Sequence, residues 1–500
     1  MSGLALLGLI MLLVMLGAIF IGFPISFTLL FLALTFGYFG LGEVVFSLAY
    51  FQTIGMMKEE LLAAVPLFIF MGFITEQAGL MERLFTAFRL LLAPIRGSLY
   101  AVVILTSAVF AMATGIVGAA VTVLGIMASP IMIKTGYDGR LSAGAITAGG
   151  TLGILIPPSV MLIVMGPVLG VSVADLYASA FGPGLLLASL YLVYLLGRAF
   201  INPKLGPPVP VEERVHSLPV MLREVLIGVV PLLGLIAATL GSILAGLATP
   251  TEASAIGALG AMLLAIDYRK VTYAGLKQAV LSTTATSSMV LLLAVTSNIF
   301  GAVFARMGTA NWITEMMLAL PLPPIAMLIM VIVLIFLLGW PFDWPAIILV
   351  FLPIFYPVME ALKPALGASL GIPTDLVMVW FGALVAVTLQ TAFLSPPVAM
   401  SAYYLRQVVK EWSLATIYKG MFEFMILQVI AITLMVVFPA IATKFPEQLR
   451  EESAAIKTEE VDDSMNRLEA DPGGQVKEGY EEEEKGEGDA LEKDDLMKKK

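Results

Sequence analysis

The sequence predicts an all-α polytopic membrane protein made of inverted repeats, with two re-entrant hairpins and two broken helices. Three observations lead to this prediction. Hydrophobic residues make up 59% of the 500 residues and charged residues only 13%, with a mean hydropathy of +0.96. Apolar runs long enough to cross about 30 Å of hydrocarbon recur along the chain. Two runs are too long for one crossing, and two others carry a Pro-Pro pair at their centre.

The apolar runs fall at 4–22, 24–40, 61–79, 98–133, 144–168, 177–200, 224–248, 252–267, 284–305, 323–357, 376–405 and 421–442. The first run lacks a small-residue cleavage site after it, so we expect it to remain as a membrane helix. At 1.5 Å per residue, 98–133 and 323–357 exceed a single span. They are interrupted centrally by ATGIVGAA (113–120) and LGWPFDWPA (338–346). Each pattern predicts a hairpin that enters and leaves on one side.

The Pro-Pro pairs form an internal repeat. Pro157 and Pro158 stand in TLGILIPPSVM, and Pro396 and Pro397 in TLQTAFLSPPVAM. Each pair follows one of the long interrupted runs and a Pro-x-Met connector. Aligning Pro157 with Pro396 sets Thr151 beside Gln390, Leu152 beside Thr391 and Gly153 beside Ala392. Paired broken helices of this kind indicate inverted repeats with a transport site near the membrane midplane.

Basic residues set the expected orientation, because cytoplasmic loops are enriched in Lys and Arg. Five clusters fit the cytoplasmic side if both long runs are hairpins: Arg83, Arg89 and Arg96; Lys134 and Arg140; Arg198, Lys204, Arg214 and Arg223; Arg269, Lys270 and Lys277; Arg406, Lys410 and Lys419. The first hairpin then opens from the cytoplasm and the second from outside, with both termini outside. The stretch around Arg83 is amphipathic and suits the membrane interface.

The breaks suggest the chemistry of the site. A broken helix exposes carbonyl oxygens, which suit a cation, and amide groups, which suit an anion. Thr114, Thr151, Thr391 and Ser395 can add hydroxyl oxygens. Asp343 lies at the tip of the second hairpin and is either a functional acid or a turn residue capping a helix. The scarcity of buried carboxylates favours sodium over a divalent cation.

Composition excludes other chemistry. The chain has no cysteine, and its one histidine, His216, lies in a polar loop. Glu252, in ATPTEASA, fits a capping carboxylate at a helix start. Residues from Glu447 to Lys500 include 19 acidic and 9 basic side chains, a net charge of −10, and we expect this tail to be disordered.

Long motifs resemble one family. The large membrane permease subunit of TRAP (tripartite ATP-independent periplasmic) transporters is similar in four motifs: GYDGRLSAGAITAGGTLGILIPPSVMLIVMG (136–166), GLATPTEASAIGALGA (246–261), VPLFIFMGFI (65–74) and FLSPPVAM (393–400). The resemblance runs to about Phe445. It implies an elevator-type secondary transporter of the ion-transporter superfamily in the bacterial inner membrane, importing small organic acids such as carboxylates and sugar acids. It implies sodium as coupling ion and no other cofactor.

The same resemblance implies two partners besides membrane lipid: a small four-helix membrane subunit and a periplasmic substrate-binding protein. Nucleic acid is not expected. The implied sodium or substrate positions are Thr114, Gly115, Gly118, Gly149, Gly150, Thr151, Gly153, Gly339, Asp343, Gln390, Thr391 and Ser395, with Pro157, Pro158, Pro396 and Pro397 as helix breakers. The family often has a serine-rich first hairpin tip, whereas here Thr114 is the only hydroxyl in that tip.

The domain prediction follows the repeat. It comprises 1–97 (scaffold helices and interfacial arm), 98–200 (first hairpin and broken helix, transport domain), 201–283 (central loop and scaffold helices), 284–420 (second hairpin and broken helix, transport domain), 421–445 (last membrane helix) and 446–500 (acidic tail). A stand-alone sodium/carboxylate or anion symporter of the same architecture is the alternative. An enzyme would need nucleophiles, metal ligands or acid/base pairs at membrane depth, and a channel would need a filter motif. The sequence shows none of these.

Overall fold

The computed structural model describes residues 2–208, 218–396, 399–452 and 454. His216, Arg214, Pro397 and most of the acidic tail lie outside the described residues. The prediction of disorder is wrong for the described beginning of the tail, since 446–452 are helical. Among the residues described, nine helices are long and apolar enough to cross a membrane, or ten if one bent pair counts as a single span. The prediction of an all-α polytopic protein is confirmed.

The first hairpin consists of α6 (Ser98–Thr114) and α7 (Val117–Lys134), separated by Gly115 and Ile116. Both arms pack against α8 (Gly139–Leu155). A Cβ added at Gly149 would lie 2.6 Å from the Ser107 hydroxyl of α6, and one at Gly150 would lie 2.3 Å from Val121 of α7. A continuous helix would separate Ser107 from Val121 by about 21 Å. Their contact with adjacent residues of α8 therefore shows that the chain turns back at Gly115.

The first broken helix comprises α8 and α9 (Val160–Leu169), which are bent by 47° at the break. The α8 helix begins where the Asp138 side chain accepts a hydrogen bond from the Leu141 N–H at 2.9 Å. It ends at Leu155, because neither Pro157 nor Pro158 can donate a backbone hydrogen bond to continue it. The connection from α9 leads to α10 (Val173–Ile201), which packs against the hairpin and α8.

The second repeat has the same parts in the same order. Helix α15 (Pro324–Leu338) leads to a tip at 339–343, and the returning arm runs from Trp344 through a π-helical turn, Ile347–Phe351, into α16 (Leu352–Leu370). Helix α17 (Val377–Leu394) is interrupted from Ser395, and α18 (Met400–Val408) continues beyond the break. The last membrane helix, α19 (Leu414–Val437), packs against both α8 and α17.

In a second group of helices, α2 (Ile25–Leu41), α3 (Val44–Met57) and α4 (Ala64–Gln77) pack against α13 (Tyr273–Arg306). Beside them, α1 (Gly3–Ile21) packs against α2, and α12 (Pro250–Asp267) packs against α4 and α11 (Leu218–Ile236). The sequence pattern did not predict α3. It runs antiparallel to α13, since Val45 and Val303 both approach Gly37 while Asn298 donates to the Gln52 carbonyl at 3.3 Å. Helix α4 continues along α13 until Gln77 meets Gly275. Together α3 and α4 follow nearly the whole of α13.

Two short helices connect this group to the hairpins. Helix α5 (Leu80–Leu92) precedes the first hairpin and α14 (Thr309–Leu318) precedes the second. Each begins after a glycine in the left-handed region, Gly79 with φ 70° and Gly308 with φ 76°. The α5 helix buries one apolar face, and the Arg83 guanidinium lies 4.2 Å from the ring centre of Tyr268. The repeat therefore extends upstream of the hairpins.

Helix α12 confirms the capping interpretation of Glu252. The Glu252 carboxylate accepts from the Thr249 N–H at 2.8 Å, and the Thr249 hydroxyl accepts from the Glu252 N–H at 3.2 Å. This reciprocal pair satisfies two N–H groups at the start of the helix. The structure thus assigns this acid a structural role.

Candidate functional site: two hairpin tips facing two helix breaks

The first hairpin tip faces the first break. Gly115 adopts φ +61°, a conformation that a residue with a side chain adopts only with strain. A Cβ at this position would lie 3.8 Å from both the Gly153 and Pro158 carbonyl oxygens and 3.9 Å from the Val160 nitrogen. The tip thus faces carbonyl oxygens of the break and the first amide of α9 at the same point.

The prolines determine which carbonyls are left without a helical partner. In an α-helix each carbonyl accepts from the N–H four residues later, and proline has no N–H. Pro157 and Pro158 therefore leave the Gly153 and Ile154 carbonyls without their usual donors. The Ser159 hydroxyl donates to Ile154. The Gly153 carbonyl, which faces Gly115, has no helical donor.

The second tip repeats this relation at the aligned position. Pro396 and Pro397 leave the Ala392 and Phe393 carbonyls without helical donors. A Cβ at Gly339 would lie 3.0 Å from the Ala392 Cβ and 3.3 Å from its Cα. Ala392 is the residue that the Pro-Pro alignment sets beside Gly153, so each hairpin tip faces the equivalent residue of its own broken helix.

A cavity of about 190 Å³ lies beside the second tip. Its lining consists of Ile25, Pro341, Phe342, Asp343, Ala392, Phe393 and Met400. Asp343 stands at the N-cap of the returning arm, and its buried Oδ1 has no hydrogen-bond partner among the described residues. Asp343 thus occupies an N-cap position without a side-chain capping hydrogen bond, and it lines the cavity.

The two broken helices meet at Thr151 and Gln390. The Thr151 hydroxyl oxygen lies 3.2 Å from Gln390 Oε1, and both side chains are fully buried. These two residues are equivalent in the Pro-Pro alignment. Contact between a residue and its own repeat mate is what a pseudo-two-fold axis between α8 and α17 produces.

The remaining hydroxyls donate to carbonyls of their own helices. Thr114 donates to Phe110 at 3.2 Å, Thr391 to Thr388 at 2.6 Å and Ser395 to Thr391 at 2.6 Å. A hydroxyl that donates its hydrogen in this way keeps lone pairs that can ligate a cation. Three predicted glycines lie against side chains instead: Gly118 against the Tyr404 ring, Gly149 against Ser107 and Gly150 against Val121. Their closeness lets α8 and α18 approach the hairpin arms.

Three residues near the breaks escaped the sequence analysis. Ser159 donates to the Ile154 carbonyl, whereas Tyr191 of α10 lies beside Thr151 and also beside Gln428 of α19. The adjacency of Ser159 to the Pro-Pro pair was a usable signal. No local pattern distinguishes Tyr191 or Gln428, because only the folded chain brings them to α8.

No group of three acidic or histidine side chains that could hold a metal occurs among the described ranges. The ligands offered at the two tips are therefore carbonyls, hydroxyls and the single carboxylate of Asp343. This set suits a hard monovalent cation better than zinc or another transition metal.

Comparison with known proteins decides the family. Residues 9–441 match the family model described as tripartite ATP-independent periplasmic transporter, DctM component. The chain belongs to this family. It is 28% identical to the sialic acid TRAP transporter large permease protein SiaM of Vibrio cholerae, over 86% of this chain and 96% of that protein. It is 27% identical to the C4-dicarboxylate TRAP transporter large permease protein DctM of Rhodobacter capsulatus, over 86% of this chain and 96% of that protein.

A solved structure shares the fold. The YdaH transporter of Alcanivorax borkumensis superposes with a TM-score of 0.55 and 15% identity, covering 81% of this chain and 90% of that chain. By its family, the chain is a TRAP transporter large permease, a multi-pass protein of the bacterial inner membrane and not an enzyme. Its family implies a tripartite system with a small membrane subunit and a periplasmic binding protein.

Proposed function

We propose that this permease imports small organic acids in symport with sodium, receiving the solute from a periplasmic binding protein beside a small four-helix membrane subunit. The observation that carries the proposal is the pair of equivalent sites, Gly115 against Gly153 and Gly339 against Ala392. The Gly153 carbonyl lies opposite Gly115, and Ala392, the equivalent residue, lies against Gly339. Both residues lose their helical N–H donor to a proline, which gives two places where a backbone oxygen can help to bind a small cation. The predicted tip and break residues supply the remaining ligands.

The second halves of the broken helices suit the solute. Helices α9 and α18 begin at Val160 and Met400, next to the breaks, and their first N–H groups have no helical partners. Helix N-termini attract carboxylates through these groups and the helix dipole. A sodium ion beside each N-terminus adds positive charge, so sodium binding favours solute binding.

The named relatives support the solute class. They carry sialic acid or C4-dicarboxylates, and an ectoine TRAP large permease protein of Halomonas elongata is 28% identical over 58% of this chain and 67% of its own length. All three solutes are small and carry a carboxylate. The binding protein that delivers the solute selects among such acids.

An elevator motion accounts for the contacts between tips and scaffold. Gly72 lies in the last two turns of α4, shortly before α5 with its Arg83 and Arg89. A Cβ at Gly72 would lie 2.6 Å from the Thr114 carbonyl oxygen of the first tip. The Phe342 ring of the second tip lies 6.3 Å from that of Phe20, near the end of α1. In the proposed orientation both scaffold ends are cytoplasmic. This arrangement fits an inward-facing position of the two hairpins and broken helices.

Uptake in proteoliposomes tests the proposal. The permease, its small membrane subunit and its binding protein would be combined, and uptake of a labelled acid that the binding protein retains would be followed. We expect uptake only with both an inward sodium gradient and the binding protein. Uptake that persists without the binding protein indicates the stand-alone symporter, and uptake unchanged without sodium removes the coupling ion from the proposal.

A further inference from the structure

Four buried polar side chains meet in the centre of the helix group that carries the breaks. They are Thr151 of α8, Tyr191 of α10, Gln390 of α17 and Gln428 of α19, and each has 0% exposure. The surroundings are largely apolar, with the Phe424 ring 5.1 Å from that of Tyr191. Polar groups in such a place normally have hydrogen-bond partners.

Most of the polar atoms in this cluster have none among the described residues. The atoms without a partner are Gln390 Nε2, both amide atoms of Gln428 and the Tyr191 hydroxyl. Turning the Gln390 amide over does not help, because it would give Nε2 a partner in Thr151 and strand Oε1 instead. At least one polar atom of Gln390 and two of Gln428 stay unmatched in either orientation.

Thr151 and Tyr191 connect the two glutamines. The Tyr191 hydroxyl lies next to the Gln428 and Thr151 side chains, and Thr151 is 3.2 Å from Gln390. A guest at the centre of the cluster could therefore reach several of them at once. Its chemistry follows from the groups it must satisfy: two amide NH2 groups, one amide carbonyl oxygen and a phenol that can donate or accept.

We propose that ordered water occupies this cluster and joins the two broken helices to α10 and α19. Water donates and accepts, so it satisfies N–H groups and the carbonyl oxygen together. A cation would satisfy only the oxygens and would be repelled by the N–H groups. The inference does not depend on the proposed function.

The sign of a stability change tests the hydration. Gln428→Met keeps the length and volume of the side chain but removes its polar atoms. If water bridges the cluster, the substitution strands Tyr191 and Gln390, and the melting temperature falls. If the cluster is dry, the substitution removes unpaired polar atoms and the melting temperature stays constant or rises. Tyr191→Phe, which deletes one hydroxyl, serves as the second variant with the same expectation.

The measurement uses the purified permease with its membrane subunit, in sodium chloride and in N-methylglucamine chloride. We expect both variants to melt several degrees lower in both salts, while Gln278→Met, which changes an exposed glutamine of α13, leaves melting unchanged. An unchanged or higher melting temperature overturns the inference. A decrease confined to sodium chloride also overturns it, because that result identifies a bound cation. Neither readout depends on transport, so failure of the proposed function would be seen separately.

Discussion

Gly115→Ala tests the first tip most sharply. Gly115 has φ +61°, and an L-residue in the left-handed region costs about 1–2 kcal/mol. The added methyl group would lie 3.8 Å from the Gly153 and Pro158 oxygens, which is ordinary contact and adds no clash. The expected loss of folding stability is therefore about 1–2 kcal/mol, from the backbone alone.

The substitution should also weaken sodium binding. A hard cation sits about 2.3–2.6 Å from its oxygen ligands. A methyl group 3.8 Å from both carbonyl oxygens takes up the space through which the tip approaches such an ion. We expect sodium affinity to fall about tenfold, equivalent to about 1.4 kcal/mol.

Gly136→Ala is the matched control. Gly136 has φ +76° in the turn between α7 and α8, and an added Cβ would meet nothing within 4 Å. Alanine at this position has the same backbone strain as at Gly115, but it lies away from the helix breaks. Thermal stability of the purified permease, measured at increasing sodium concentration, gives both the stability without sodium and the sodium affinity. A ligand that binds the folded state raises its stability with concentration. Equal sodium affinity in the two variants would refute the placement of an ion between Gly115 and Gly153.

Three further predictions follow from the same geometry. Pro157→Ala supplies an N–H donor for the Gly153 carbonyl and should weaken sodium activation several-fold. Pro167→Ala, inside α9, is the control and should leave it unchanged. Equal sodium titrations for the two variants would reject the carbonyl as a ligand. The double variant Phe20→Cys, Phe342→Cys, in a chain without other cysteines, should be cross-linked by a short, reducible thiol reagent. The cross-link should stop uptake until it is reduced, and uptake by the cross-linked protein would contradict the elevator motion. Thr249→Ala should cost about 1 kcal/mol of stability through lost capping without changing sodium affinity, and an altered affinity would assign Glu252 a functional role.

The sequence predicted much of this architecture because its signals are local. Long apolar runs with central breaks predicted the hairpins, and the Pro-Pro alignment predicted the equivalence of Thr151 with Gln390 and of Gly153 with Ala392. Proline chemistry depends only on the residue itself and its neighbour four positions back. This is why the breaks and their order could be predicted without a structure.

The remainder depended on packing. Helix α3 contains Gln52 and Thr53 and is followed by Lys58 and Glu59, so its apolar signal is weak. Its position along α13 comes from tertiary contact. Gln428 is one glutamine in an apolar helix, and only its position beside Tyr191 gives it a role. The predicted site glycines Gly118, Gly149 and Gly150 were chosen for close approach to an ion, and the structure shows them approached by side chains. The domain division and the ligand roles remain predictions.

Density for bound ions tests the central claim most directly. A high-resolution electron-microscopy structure of the permease with its membrane subunit would be determined in sodium chloride and in N-methylglucamine chloride. The account predicts two sodium-dependent densities, one within ligand distance of the Gly153 carbonyl below Gly115 and one at the Ala392 carbonyl beside Gly339. Sodium-dependent density elsewhere, with neither carbonyl as a ligand, would contradict it.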